Sequence, residues 1–108
     1  MSDADMDAQP PAAAPVRLAW SGPVTIYEAV ELRRQLLDAL EAGRGLALDL
    51  GGVDEIDTAG IQLLVLAQRE AHLAGQRSEV VAASAPVREA LDLCGLGQLE
   101  APAMPEQP

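Results

Sequence analysis

Leu46, Leu48 and Leu50 alternate with Ala47 and Asp49, the period-two signature of a strand with one buried face. Gly51-Gly52 breaks that run, and the carboxylates Asp54, Glu55 and Asp57 follow in what reads as an acidic turn. From Ile61 the apolar positions Ile61, Leu64, Val65 and Ala71 fall near helical spacing and stop at Gly75, a natural left-handed cap. The same alternation of strand and helix continues on both sides. Val16, Leu18 and Trp20 alternate with Arg17 and Ala19, and Ser21-Gly22-Pro23 predicts a turn before a second short strand at Val24. Thr25 and Glu28 have the spacing of a capping box. A helix then runs to about Ala42, with Ala29, Leu32, Leu36 and Leu40, joined by Val30 and Leu37, as its apolar face. Glu79 to Ala83 predicts a core strand. Ser84 caps a last helix, with Pro86 in its first turn and Val87, Ala90, Leu91 and Cys94 inward, and Gln98-Leu99 predicts an edge strand. These elements specify an α/β fold, a mostly parallel sheet of four to five strands with three to four helices.

Composition limits this pattern to one domain. Residues 1–15 are Asp, Ala, Pro and Gln with almost nothing to bury, and residues 101–108 hold three prolines, so both are expected to be disordered tails around a domain at 16–100. Only Trp20 and Tyr27 offer large rings to a core otherwise built of Leu, Val, Ile and Ala. The formal net charge of −10 makes nucleic acid and anionic membrane poor partners. Every positive charge is an arginine, and the absence of lysine excludes a P-loop or Schiff-base lysine. One cysteine forms no internal disulfide, and no leader-like or membrane-length apolar run is visible, so a cytoplasmic protein without membrane insertion is expected.

Candidate chemistry concentrates in the acidic turn. Asp57 or Thr58 is expected to cap the central helix, because either side chain accepts from the free amides of a first turn and Ala59 does not. A threonine hydroxyl at such a tip is open to a partner or to a kinase. Asp54, Glu55 and Asp57 lack the alternation and closing Glu of a calcium loop, and the single His72 and Cys94 assemble neither a metal site nor a nucleophile-base pair. His72 suits the last turn of the central helix as a cation on the dipole, and Cys94 reads as a small core residue. No cofactor, no metal and no enzyme activity are expected. The run Leu63 to Ala67 is apolar nearly all round, so Leu63 or Leu66 is a candidate for a partner or dimer patch on a monomer or weak homodimer.

The apolar strand, the acidic turn, Asp57-Thr58-Ala59-Gly60 and the Leu-rich helix together resemble the STAS domain of bacterial anti-sigma-factor antagonists and sulfate-transporter tails. Thr25-Ile26-Tyr27, Leu48-Asp49-Leu50 and the run from Pro86 to Leu96 are similar to family patterns as well, so the resemblance covers about residues 16 to 100. It implies a single STAS-type domain. In the antagonists the residue at the place of Thr58 is a phosphorylated serine, and its phosphorylation releases an anti-sigma kinase. The resemblance thus implies a partner-binding surface at Asp54, Glu55, Asp57, Thr58, Ala59, Gly60 and Leu63, with Thr58 as switch. The implied partner is a protein: an anti-sigma kinase, or alternatively a chemotaxis component, since 53–71 is similar to stand-alone chemotaxis STAS proteins, or the ATPase of a phospholipid-asymmetry ABC transporter.

Overall fold

The computed structural model describes residues 14–99, and the expected tails lie outside that range except for Ala14 and Pro15. The alternation of Leu46, Leu48 and Leu50 builds β2 (Leu46–Ile56), the middle strand of a three-stranded sheet in the order β1-β2-β3. Its neighbours β1 (Val16–Val24) and β3 (Ser78–Ala83) both pair with it in parallel. Parallel neighbours require crossovers, and α1 (Ala29–Leu40) and α2 (Thr58–Leu73) supply them. Helix α3 (Ala85–Leu93) and a 3-10 turn (Gly97–Leu99) close the described chain.

The strand count is slightly lower than the pattern predicts, for two local reasons. Ser21-Gly22-Pro23 does not turn; β1 passes straight through it, shifting register after Ala19 and after Gly22, and continues to pair as far as Val24 with Ile56. Pro23 is tolerated because β1 has no neighbour on its other side among the described residues, so the missing amide breaks no ladder. Gln98-Leu99 forms the 3-10 turn instead of a strand. Nor does Gly51-Gly52 end β2. A Cβ on Gly52 would lie 2.8 Å from the Cβ of Ser21, so the glycine lets two irregular strands approach each other. Asp54 and Glu55 are consequently strand residues, both exposed, and the expected acidic turn shrinks to Asp57.

The buried side chains form one core. Leu46, Leu48, Leu50 and Val53 of β2, Trp20 and Val24 of β1 and Val80 of β3 meet Leu36 and Leu40 of α1, Leu64 and Ala67 of α2, and Val87 and Leu91 of α3. Between them in sequence, Arg17 and Asp49 pair on the alternate positions of β1 and β2, leaving that side of the sheet polar. The start of α3 and the end of α2 conform to expectation: Ser84 Oγ accepts from the Val87 amide at 3.4 Å with Pro86 in the first turn, and Gly75 follows α2 with φ +72°. Three sequence readings fail on burial. Tyr27 is 91% exposed and no core ring, Val30 is 84% exposed, and Cys94 caps the frayed end of α3 in solvent. The physical reason is angular. Val30 precedes Leu32 by two residues, about 200° round the helix from the stripe Leu32, Leu36 and Leu40, and α3 ends before the turn that would carry Cys94 inward.

Candidate partner-binding site

Asp57 is the N-cap of α2, in extended conformation, and its Oδ1 accepts from the Gly60 amide at 3.0 Å. Its other oxygen, Oδ2, accepts from the amide of Ile26 at 3.0 Å, across from the loop that follows β1. One carboxylate therefore fastens two loops that are 31 residues apart in sequence. The Gly60 amide, and after the opposing effect of desolvation the Ile26 amide, hold the Asp57 carboxyl below its ordinary pKa. Gly60 completes the join, since a Cβ there would collide with the Val24 carbonyl oxygen and lie 2.7 Å from Ile56.

The Ile26 loop has its own lock. Glu28 Oε1 accepts from the Thr25 hydroxyl at 2.7 Å and from the Thr25 amide at 2.8 Å, which makes the carboxylate half of the expected capping box. The hydroxyl bond first, and the amide second, hold Glu28 below the usual carboxylate range. Thr25 itself is buried, and α1 begins only at Ala29, one turn later than the box alone predicts.

These locks present a consistent outer surface. Thr58, the first residue of α2, is exposed, and among the described residues its hydroxyl makes no hydrogen bond. Ile26, whose amide Asp57 holds, is 65% exposed, and Tyr27 after it and Val30 on α1 are 91% and 84% exposed. A groove of about 330 Å³ runs between α1 and α2, lined by Val30, Ala59, Leu63 and Leu66 with Arg33 and Gln62 at its margin. Of the residues expected at the site, Thr58, Asp54 and Glu55 are exposed and Asp57 and Ala59 are half-buried, while Gly60 and Leu63 are buried, Leu63 forming the floor of the groove. Sequence reasoning missed Ile26, Tyr27 and Val30. The available signal was the position of Ile26-Tyr27 directly after the capping threonine, where a chain leaving a strand has no second layer to cover it.

The carboxylates do not converge on a cation site. Both oxygens of Asp57 face amides, and among the described residues no group of three His, Cys, Asp or Glu side chains is arranged to hold a metal. His72 lies exposed at the far end of α2. Among the described residues no helix is long and apolar enough to cross a membrane.

A family model described as Mlab, STAS domain, matches residues 8–102. The chain belongs to the STAS domain family. Its fold matches that of the anti-sigma factor antagonist SpoIIAA in unphosphorylated form, with a TM-score of 0.72 at 18% identity over 89% of this chain and 85% of that one. The phosphorylated form of the Bacillus cell fate determinant SpoIIAA aligns with a TM-score of 0.66 at 17% identity, covering 89% and 88%. A sulfate transporter family protein from Wolinella succinogenes gives a TM-score of 0.64 at 22% identity, covering 76% of this chain and 67% of that chain. No curated protein sequence matches.

Proposed function

We propose that this STAS domain is a non-catalytic binding module, anti-sigma-factor antagonist-like, that captures a protein partner with the face around Thr58 and releases it when Thr58 is phosphorylated. The observation that carries the reading is the exposed, unbonded Thr58 hydroxyl at a helix start whose Asp57 cap also holds the exposed Ile26 loop, next to a groove lined by Ala59 and the exposed Val30. Isolated exposed apolar residues are ordinary, but the exposed Val30 lines an apolar groove with Ala59, Leu63 and Leu66, a surface of the kind that marks protein contact. A phosphate on Thr58 adds about −1.5 to −2 charges next to the Asp57 cap, and the amide-rich start of α2 offsets only part of that repulsion. The fold persists and the docking face becomes more negative. The module works in the cytoplasm, as a monomer or weak homodimer, without cofactor or metal.

A second reading, a STAS subunit seated on the ATPase of a transporter, is supported by the Mlab description of the matching family model. A chemotaxis component would use the same face. Affinity capture from the native cell with the parent and with Tyr27→Ser identifies the partner and tests the face together. The proposal expects an anti-sigma kinase retained by the parent and lost by Tyr27→Ser; equal retention by both variants contradicts it, and an ABC ATPase selects the second reading.

A further inference from the structure

Acidic side chains outnumber basic ones by 17 to 7. Arg17 pairs with Asp49, Arg34 with Glu31 and Asp38, and Arg77 with Glu79. Arg33, Arg44 and Arg69 form no ion pair among the described residues, and of these Arg33 lies on α1 and Arg69 on α2. Arg33 and Arg69 both line apolar hollows on one side of α2. Arg33 borders the groove floored by Leu63 and Leu66, and Arg69 borders a second hollow of about 380 Å³ with Gln62, Val65 and Leu66. Gln62 and Leu66 are shared by the two, so they form one continuous track.

The shape of the track indicates what fits it. Ala59, Gln62, Leu66 and Arg69 follow one another at helical spacing along α2, about 15 Å at 1.5 Å per residue. With α1 as its other wall near Val30, the track is the kind of groove into which the side-chain ridge of a third helix packs. We infer that the occupant is an amphipathic helix of the partner protein, whose apolar ridge enters the track and whose flanking carboxylates pair with Arg33 and Arg69. This rests on the partner-binding reading of the Thr58 face and adds the partner's chemistry. It also gives the switch a mechanism: a phosphate on Thr58, near the end of the track marked by Ala59, repels an acidic helix more than a neutral one.

Two synthetic stapled helices with the same leucine ridge, one flanked by glutamates and one by lysines, are titrated into the isotope-labelled full chain at low salt. The glutamate helix is expected to bind at least about fivefold more tightly, shifting the amides of Arg33, Gln62, Leu66 and Arg69, with the preference reversed in the Arg33→Glu/Arg69→Glu double variant. Both substitutions are at exposed helix positions, so the variant keeps the parent fold, which its melting confirms. Equal binding of the two helices, a preference for lysine, no binding of either, or shifts elsewhere overturns the inference. A concentration-dependent dimer abolished by Leu66→Arg overturns it in favour of a second copy as occupant. If the helices fail while Thr58→Glu still releases the cellular partner, the acidic-helix chemistry is lost and the switch stands; if Thr58→Glu retains that partner, the underlying reading fails by itself.

Discussion

Helices α2 and α3 both leave a parallel strand through a one-residue cap, yet the two starts serve different ends. At α3, Ser84 accepts from the Val87 amide, Pro86 follows, and Val87 enters the core fully buried. That cap closes a helix and hides it. At α2, Asp57 accepts both from its own helix and from Ile26 of the other loop, and Gly60 sits where no side chain fits, against Val24. The exposed residues on this doubly fastened start are Thr58, Ile26 and Tyr27. A single cap satisfies orphan amides; a shared carboxylate also fixes two loops relative to each other, which a surface that docks a partner requires.

The comparison breaks most severely at the buried side of α3. Leu91→Ala should cost about 2–5 kcal/mol, because Leu91 is fully buried and its loss leaves a cavity. A denaturant midpoint close to the parent's would show that α3 does not anchor the core. At α2 the corresponding weak point is Gly60. Gly60→Ala forces a Cβ against the Val24 carbonyl and should cost about 1–3 kcal/mol by overpacking, with amide shifts spreading into the Ile26 loop. Shifts confined to α2 would mean that the two loops are not joined there.

The caps differ next. Ser84→Ala should remove about 1 kcal/mol and disturb only α3, whereas Asp57→Ala should loosen both α2 and the Ile26 loop, as hydrogen exchange at Ile26 and Gly60 would report. Acid distinguishes them further. Asp57 and Glu28 are both held below their ordinary range by hydrogen bonds to their charged forms, so the stability they contribute is present above the unfolded-state values, about 3.9 and 4.3, and is lost as pH falls through the lowered folded-state values. Asp57→Asn should therefore flatten the stability profile below about pH 4. It should leave the profile between pH 6 and 8 parallel to the parent's, and Ser84→Ala should alter neither limb. An unchanged acid limb in Asp57→Asn would remove the carboxylate from the account.

The smallest effect belongs to the solvated face of α1: Glu41→Ala should shift stability by less than about 0.5 kcal/mol.

These differences also explain what could be read from the sequence. The β2 alternation, the Asp57 and Ser84 caps and the Gly75 stop are local signals, and local signals survive folding. Ser21-Gly22-Pro23 looked like a turn because its residues favour turns, but its conformation is decided by Gly52 on the facing strand, 31 residues from Ser21. Asp57 was legible as a possible cap and its second bond to Ile26 was not, since no local pattern pairs residues 31 apart. Tyr27, Val30 and Cys94 were placed inward by hydrophobicity or spacing, although burial depends on where a helix starts and stops, which spacing gives only to within a turn.

Thr58→Glu tests the central claim most directly, with melting temperature and affinity for the captured cellular partner measured on the same preparation as the parent. Melting is expected to stay close to the parent's and binding to weaken by at least about a hundredfold, the equivalent of a loss of about 3 kcal/mol at the interface. Undiminished affinity would contradict it, and so would a variant that loses binding because it unfolds.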